Sequence, residues 1–586
     1  MDSAPEYSPR WRCNEFKLAI NMAGAISAGA YTAGVLDFLT EALDEWATAK
    51  KAFREQRAAP VPLHEVTIEA ISGASAGGMC AAIAAVMLQK KFDHIHDAHP
   101  GDEIPPAPTT NTFYEAWVNQ IDIRELLSTR DVDGDEPVVS LLDSTIIDDI
   151  ALKTVAPPKS ADLNRSDYVS KNLNLFLPVT NVRGVSYPLY GGNSHAATDL
   201  PPGVDEFIAY YGDHLQFETT EPHKEPVATT AKSLPLGCPN GAWDLLRETA
   251  KATGAVPVAL APRVLSRETR DYLQPPWPTH GEPMSRPLTP DFPDPRPAAI
   301  DTLNVDAGVT NNNPFDLAHD FLAALNPKRE CPLGGKPRNP RDGHQANAAV
   351  LTIAPFPALD RFDREFDPAA SSGISRIIAR LFTVLLSQSR FLGESLDVLT
   401  SPNGFSRFVI APSDSEFTGG SALQCGTLGA FGGFFSRRFR AHDFMLGRYN
   451  CQRFLKTQFA LPAENEVFQE GLRRATEFAP EILKDFQFTT APAGRHQGET
   501  WMPIIPCVGT AALNVSHPAR QTLTREQLNE IVGLVLKRLR AIVPRLLDGT
   551  GPLSFLSVVA LWPLSFFVSS AIRNYLSDAL GQNLER

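Results

Sequence analysis

The run ISGASAG at residues 71–77 has the spacing G-x-S-x-G, with Ser75 between Gly73 and Gly77. An apolar run precedes it and an alanine-rich run follows it, so the sequence predicts a strand, a sharp turn and a helix. A serine hydroxyl becomes a good nucleophile when such a strained turn exposes it beside a base, and the two glycines let strand and helix approach closely. The pattern therefore predicts a nucleophile elbow. The plainer alternative is that Ser75 only caps the N-terminus of the helix.

A second loop of small residues lies upstream, where an apolar run at 16–21 leads into AGAISAG at 23–29 and then into a helix-like run. A loop of this kind exposes backbone N–H groups, which suits an oxyanion hole. It contains neither G-x-G-x-x-G nor G-K-[ST], so nucleotide binding is not indicated. Glycines also serve tight turns for steric reasons, and the loop alone leaves both interpretations open.

The best candidate for a base is Asp306, in LNVDAGV at 303–309, which is followed by NNNP at 311–314. Asp306 stands at the end of an apolar run of strand length. Catalytic groups of α/β sheets gather at the carboxyl ends of strands, so Asp306 is predicted to lie beside Ser75 and to deprotonate it. The alternative is that Asp306 caps the following turn, a common role of aspartate.

A histidine offers a different arrangement, because α/β-hydrolases place serine, acid and histidine in that chain order. Ser75, Asp306 and His442 satisfy this order. The early position of the elbow, directly after the glycine-rich loop, favours a serine–aspartate pair instead. A histidine beside Asp443 in an arginine-rich run is also more typical of a protein surface. The triad esterase stays open as an alternative.

The distribution of apolar runs divides the chain into parts. Strand-like and helix-like runs alternate before residue 355, which predicts an α/β sheet with helices on both faces, and mainly helical patterns follow. The predicted parts are a tail at 1–13, a catalytic domain at 14–355, a helical accessory region at 356–524 and a C-terminal region at 525–586. The catalytic domain is predicted to contain an acidic insert at 101–150 and loops at 191–241 and 274–297, the last with nine prolines.

The order of these motifs resembles that of patatin-like phospholipases: a glycine-rich loop, then G-x-S-x-G, then an aspartate followed by N-N-x-P. The resemblance covers about residues 14–355, and the matching segments are 16–39, 70–79, 250–262 and 305–316. A block at 432–455 resembles one found C-terminal to the patatin domain in larger bacterial relatives of the family. The chain departs from the family pattern in its glycine-rich segment, where two glycines and a basic residue are replaced.

This resemblance implies a three-layer α/β/α fold with a mostly parallel central sheet, and a serine lipid acyl hydrolase of the phospholipase A type. It implies a catalytic dyad of Ser75 and Asp306, without a catalytic histidine, a metal or another cofactor. The expected substrate is a membrane phospholipid or another lipid ester. The residues that would support the dyad are the oxyanion donors, the elbow glycines and the aspartate motif: Gly24, Ala25 and Ile26; Gly73 and Gly77; Ala307 and Gly308. Because the glycine-rich loop is altered, a catalytically weak lipid-binding protein of the same fold is the alternative.

The charge of the chain is unevenly spread. The net charge is −13, and residues 101–150 contribute −10 of it through twelve acidic residues and two arginines. A net acidic chain argues against a nucleic-acid partner. The arginine-rich run at 436–456 has three alternative roles: it contacts anionic lipids, it forms a solvated helix face, or it pairs with the acidic insert. The insert, with DVDGDE at 131–136, does not have the spacing of an EF-hand calcium loop and is expected to be a flexible acidic lid or surface loop.

Both ends of the chain bear on its location. Residues 1–13 contain no apolar signal-peptide core and the seven cysteines include no C-x-x-C pair, so we expect a cytoplasmic protein without disulfides or a zinc site. Residues 531–547 form a basic amphipathic pattern, and 553–572 is an uncharged run of twenty residues. Together they predict peripheral contact with the inner face of the membrane through 531–572, with a buried helical hairpin as the alternative. Nothing in the sequence indicates an oligomeric state.

Overall fold

A computed structural model describes most of the chain. The described ranges are 11–55, 60–97, 109–134, 137–189, 206–227, 230–273, 288–331, 336–357, 404–469, 482–490, 498–547 and 572–585, with the single residues 367, 368, 373, 377, 384, 389 and 492. Parts of most predicted features therefore lie outside the described residues: 1–10 of the tail, 101–108 and 135–136 of the acidic insert, 191–205, 228–229 and 274–287 of the loops, most of 358–403 and 470–481 of the accessory region, and 548–571 of the C-terminal region.

Up to residue 353 the described elements are strands and helices in mixed order, and three strands between residues 169 and 235 interrupt the alternation that the sequence predicts. The strands are β1 (Glu15–Met22), β2 (Glu65–Gly73), β3 (Val169–Leu189), β4 (Glu206–Thr220), β5 (Lys232–Pro235), β6 (Arg263–Glu268), β7 (Ala299–Val305), β8 (Ala348–Ile353), β9 (Arg407–Ile410), β10 (Ala460–Pro462) and β11 (Trp501–Pro503). The α-helices are α1 (Gly29–Arg54), α2 (Ala76–Met87), α3 (Thr112–Tyr114), α4 (Ile123–Leu126), α5 (Thr145–Thr154), α6 (Gly241–Thr253), α7 (Phe315–Leu325), α8 (Arg437–Thr457), α9 (Arg525–Leu547) and α10 (572–580). A π-helical turn, Glu115–Gln120, continues α3.

A mixed, mostly parallel sheet forms the centre of the protein. Its main path runs β5-β4-β3-β2-β1-β8-β9, and β7 pairs with both β3 and β6. The pairs β1–β2, β1–β8, β2–β3, β4–β5 and β8–β9 are parallel. The pairs β3–β4, β3–β7 and β6–β7 are antiparallel. The α/β class and the mostly parallel sheet are confirmed.

Helices cover both faces of this sheet. Every residue of β1 is buried, as expected for a central strand that is covered on both sides. Leu18 and Ile20 of β1 belong to the large cluster that includes α1, α2, α6 and α8, whereas Ala19 belongs to a smaller cluster with α7. Helices α1 and α8 approach very closely, because a Cβ at Gly34 would lie only 1.9 Å from the backbone oxygen of Phe444.

Two predicted boundaries are wrong. The segment 191–241, expected to be a loop, contains β4 and β5, because its threonines and aromatic residues pair along most of β3 in spite of the flanking prolines and glycines. The region 356–524, expected to be a helical accessory region, contributes β9 to the central sheet beside β8. A four-residue strand is too short to show a periodicity, so the sequence pattern could not reveal it.

Candidate active site

Ser75 occupies the predicted elbow between β2 and α2. Its backbone has φ 54° and ψ −128°, a conformation that a residue with a side chain adopts only under strain. Its N–H donates to Thr253 Oγ1 at 3.1 Å, and its side chain makes no capping hydrogen bond to α2. The simple helix-cap alternative for Ser75 is therefore wrong. Thr253 holds the elbow from α6, a role that the sequence did not indicate.

Gly73 and Gly77 make this turn sterically possible. A Cβ at Gly73 would lie 2.3 Å from the backbone oxygen of Gly77, and a Cβ at Gly77 would lie 2.3 Å from the backbone oxygen of Met22. Neither backbone atom can move aside cheaply. Both glycines thus allow β1, β2 and α2 to meet at the elbow, which is the role that the spacing G-x-S-x-G predicts for them.

Asp306 meets Ser75 directly across 231 residues of sequence. Ser75 Oγ donates to Asp306 Oδ2 at 2.6 Å, and the amide of Gly308 donates to Asp306 Oδ1 at 2.6 Å. The backbone of Asp306 is fixed as well, since its N–H donates to Ala255 O at 2.8 Å and its carbonyl accepts from Thr180 Oγ1 at 2.9 Å. Asp306 therefore both caps the turn through Gly308 and receives the serine hydroxyl.

The buried position of this carboxylate tunes its basicity. Ser75 and Asp306 are only 4% and 5% exposed. Burial raises the pKa of Asp306 to about 6, while the hydrogen bonds from Ser75 and Gly308 act in the opposite direction. A carboxylate with a pKa near neutrality is ionised at pH 7 and is a stronger base than an exposed aspartate.

The three predicted oxyanion donors in the glycine-rich loop differ in their hydrogen bonding. The N–H of Gly24 already donates to Asn312 O at 3.0 Å, so the expectation that Gly24 is a free donor is wrong. The N–H groups of Ala25 and Ile26 have no hydrogen-bond partner among the described residues. Ile26 has φ 47°, so the loop holds its amide in a strained conformation, as the elbow holds Ser75.

The N-N-x-P segment is a scaffold for both loops. Asn312 accepts the Gly24 amide, and a Cβ on Gly24 would lie 2.1 Å from Asn312 Oδ1. Asn313 Oδ1 accepts from Asn21 Nδ2 at 2.5 Å, and Asn21 Oδ1 accepts from Ser72 Oγ at 3.0 Å. These buried amides connect β1 and β2 to the segment after Asp306, which keeps the base, the elbow and the glycine-rich loop in register.

An apolar pocket begins at Ser75. It has a volume of about 90 Å³, and its wall includes Met79 of α2, Ile147 and Ile150 of α5, and Phe434. Ile26 lines it as well, next to the elbow. A narrow apolar space that starts at a nucleophile suits a hydrocarbon chain and excludes a polar substrate body.

The acidic insert forms much of this wall, which the sequence analysis did not anticipate. Its described residues fold into α3, the π-helical turn, α4 and α5, so the expectation of a flexible acidic lid or surface loop is wrong for them. In α5, Ile147 and Ile150 face the pocket, whereas Asp148 faces outward and accepts from Lys251 at 2.6 Å and Arg263 at 2.8 Å. The apolar residues at helical spacing were the signal that could have revealed this face.

The structure does not bring His442 to the pair. Its Nδ1 lies 2.8 Å from Asp443 Oδ1, and no hydrogen bond within the described residues joins it to Ser75 or Asp306. Asp443 also accepts from the backbone N–H groups of Gln424 and Cys425, both at 2.9 Å. His442 is buried, not at the surface as expected, and it supports an aspartate that anchors a loop to α8.

The arginine-rich run at 436–456 is partly internal. Arg440 lies 3.9 Å from Asp122 of the acidic insert and donates to the carbonyl of Val118. Arg448 is buried against α1, where it pairs with Asp37 and Glu41. These contacts fit the alternative of pairing within the chain better than a strip of cations that faces lipid headgroups.

No metal centre or membrane-spanning helix is found within the described ranges. No cluster of three or more His, Cys, Asp or Glu side chains there could hold a metal ion. Asp131, from the DVDGDE segment, pairs with Arg538. Among the helices that the structure describes, none has the length and apolarity needed to cross a bilayer.

The comparisons with known proteins include a clear relative. The chain is 30% identical over 580 residues to the uncharacterized protein y4iI of Sinorhizobium fredii. The alignment covers 91% of this chain and 76% of that protein. It is also similar to the crystal structure of VipD from Legionella pneumophila, with 12% identity over 98% of this chain and 89% of that chain. The TM-score of 0.19 is too low for that similarity to carry an argument. No family model matches the chain.

Proposed function

The chain belongs to the family of the uncharacterized protein y4iI, and from the chemistry of its own site we propose that it is a serine acyl hydrolase that cleaves fatty-acyl esters of lipids. The observation that carries this proposal is the 2.6 Å hydrogen bond from Ser75 Oγ to Asp306 Oδ2 in a strained elbow beside an apolar pocket. The resemblance of the motifs to patatin-like phospholipases supports the same reaction class.

The reaction proceeds in two stages. Asp306 takes the proton of Ser75 as Ser75 Oγ attacks the ester carbonyl, and the oxyanion receives hydrogen bonds from the free amides of Ala25 and Ile26. When the tetrahedral intermediate collapses, the alcohol leaves with the proton from Asp306. Water then attacks the acyl-enzyme while Asp306 takes a water proton. Ser75 Oγ leaves with that proton, and the fatty acid is released.

The pocket defines the substrate class in this proposal. Its apolar wall accepts the acyl chain, and the ester carbonyl then lies at Ser75. Membrane glycerophospholipids are the proposed source of the acyl chain, with cleavage of the phospholipase A type. No metal or other cofactor enters either stage, because Asp306 supplies the base and backbone amides stabilise the oxyanion.

A fluorophosphonate probe tests the proposal, because it labels only an activated serine. We expect labelling and fatty-acid release with the unaltered chain, and neither with Ser75→Ala. Asp306→Asn should reduce both steeply because the base is lost. Ser266→Ala, at an exposed serine on β6, is the matched control and should behave as the unaltered chain. His442→Gln should keep its activity. A loss of activity in a His442→Gln variant that still folds would favour the triad of Ser75, Asp306 and His442. If Ser75 of the unaltered chain is not labelled in the presence of phospholipid vesicles, the proposed enzymatic activity is refuted.

One observation favours a second candidate, a lipid-binding protein without turnover. The Gly24 amide is committed to Asn312, which leaves the loop with two free donors of the three that were predicted. Such a protein would bind fatty acids in the pocket and would leave Ser75 unlabelled. Titration with a fluorescent fatty acid beside the probe experiment separates the two candidates.

We also propose that the protein is cytoplasmic and touches the inner face of the membrane through 531–572. The support is the uncharged run at 553–572, together with the exposed Lys537 and Arg540 on α9. The double variant Trp562→Ser/Phe566→Ser should sediment less with vesicles of phosphatidylcholine and phosphatidylglycerol. Tyr575→Ser, at an exposed aromatic residue of α10, is the control. Equal sedimentation of both variants would contradict the anchor.

A further inference from the structure

Arg538 of α9 is an unusual side chain because it is only 1% exposed and all of its polar contacts with described residues lie on the acidic insert. Its guanidinium donates to both carboxylate oxygens of Asp131, with 2.7 Å to Oδ2. It also donates to three backbone oxygens, those of Ser128 at 2.6 Å, Leu141 at 2.9 Å and Ser140 at 3.3 Å. One arginine thus fixes two separate stretches of the acidic insert, 128–131 and 140–141.

These two stretches lead directly to the pocket wall. The buried Asp143, two residues after Leu141, accepts from the N–H and the hydroxyl of Thr145 at 2.9 Å and 2.7 Å, so it sets the first turn of α5. Asp143 also accepts from Ser128 Oγ and donates its own N–H to Leu126 O at 2.8 Å. The segment that Arg538 holds therefore determines where α5 begins, and α5 presents Ile147 and Ile150 to the pocket.

The same segment is tied to the opposite wall of the pocket. The N–H groups of Leu141 and Leu142 donate to the carbonyls of Val258 and Ala259 at 2.8 Å and 3.0 Å. Val256, two residues before this pair, and Leu260, directly after it, line the pocket. Displacement of 140–142 would therefore move two walls together, whereas none of the hydrogen bonds that hold Ser75 or Asp306 involves this segment.

We propose that Arg538 is a positioning residue that sets the length of acyl chain the pocket accepts. This inference rests on the proposed function, since it assigns specificity to the same site. A buried arginine with a carboxylate and three carbonyl partners fixes the relative position of these groups, and its removal leaves them without a donor. The elbow keeps its geometry, and the pocket wall loses its fixed position.

Hydrolysis of p-nitrophenyl butyrate and palmitate by the full chain tests this. The variant Arg538→Met has a side chain of similar volume. We expect its kcat/KM for the palmitate ester to fall roughly tenfold, through an increase in KM. A tenfold change corresponds to the loss of about two buried methylene contacts. The butyrate values should stay within about twofold. Arg525→Met, at an exposed arginine in the first turn of the same helix, is the matched control and should change neither. Asp131→Asn removes the charge of the partner and gives a milder change in the same direction should Arg538→Met fail to fold.

Equal losses for both esters, or none for either, would overturn the inference while the proposed function stands. Binding of fatty acids of eight to eighteen carbons to Ser75→Ala, with and without Arg538→Met, separates the two hypotheses. If the unaltered chain hydrolyses nothing but Arg538→Met still weakens only the long-chain fatty acids, the proposed function fails and the role of Arg538 is supported. If the affinities are the same with and without Arg538→Met at every chain length, Arg538 does not position the pocket.

Discussion

The buried carboxylate of Asp306 predicts that catalysis and stability respond to pH in opposite directions. Burial raises its pKa from an ordinary value of 3.8 to about 6. The folded state therefore binds the Asp306 proton more tightly than the unfolded chain does. At about 1.4 kcal/mol per pKa unit, ionised Asp306 lowers the free energy of unfolding by about 3 kcal/mol relative to its protonated form. This loss develops as pH rises from about 4 to about 6, the same interval in which Asp306 becomes able to accept a proton.

The variant Asp306→Asn isolates this effect, because asparagine keeps the shape and removes the titration. Its stability relative to the unaltered chain should increase by about 2 kcal/mol between pH 4.5 and pH 8 as measured by urea unfolding, since about 1 kcal/mol of the loss has already developed at pH 4.5. A constant difference from an altered hydrogen bond does not affect this change with pH. Asp301→Asn, at an exposed aspartate on the same strand, should show no such change. The kcat/KM of the unaltered chain should rise through an apparent pKa near 6. A stability difference that is flat over this interval, or an activity limb well below pH 5, would refute the reasoning.

Two further predictions concern the elbow, and a third concerns His94, which lies against Asp37 and Asp44 of α1. Ser75→Gly should be more stable than Ser75→Ala by about 1–3 kcal/mol in urea unfolding, because only glycine adopts φ 54° without strain; equal stabilities would contradict the strained elbow. Gly77→Ala should cost several kcal/mol because its Cβ would lie 2.3 Å from Met22 O, whereas Gly241→Ala, which meets nothing within 4 Å, should cost none. Burial lowers the pKa of His94, but the carboxylates of Asp37 and Asp44 more than offset this and raise it to about 9. The stability that His94 adds is therefore complete below pH 6.5 and is lost as pH rises through 9, by at most about 3 kcal/mol; His94→Gln should remove this pH dependence.

The local motifs were predictable because their chemistry depends on residues that are adjacent in sequence. The close approach at Gly73 and the strained Ser75 are properties of a seven-residue run. The meeting of Ser75 with Asp306 has a longer-range cause, the strand β3. Phe176 of β3 pairs with Ser72 of β2, and Thr180 of β3 pairs with Val305 of β7. Four residues of one strand span only about 13 Å, so β3 brings the carboxyl ends of β2 and β7 together. The sequence showed β3 only as a short apolar run.

Other features depended on partners that the sequence could not place. The commitment of the Gly24 amide follows from the carbonyl of Asn312, nearly 290 residues away, which approaches it only once the sheet has formed. The role of Thr253 as the acceptor for the Ser75 amide has the same origin, since a threonine near the end of a helix is common and carries no signal of its own. Backbone donors and their partners are a matter of tertiary register, which composition and spacing do not encode.

The distribution of charge along the sequence led to a wrong prediction about the acidic insert, and the reason is physical. The acidic insert and the arginine-rich runs are separate in sequence, so each reads as a solvated or membrane-facing surface. In the fold they meet: Arg440 approaches Asp122, Arg124 pairs with Glu530 at 2.9 Å, and Arg538 binds Asp131. A charged segment packs against the body of a protein when its apolar residues repeat at helical spacing and cations elsewhere can neutralise its acids. Ile147 and Ile150 satisfy the first condition within the insert, and the arginines of α8 and α9 satisfy the second. Opposite net charges in distant segments are therefore a better indication of an internal contact than of a mobile lid. In this protein, that contact forms part of the wall of the pocket.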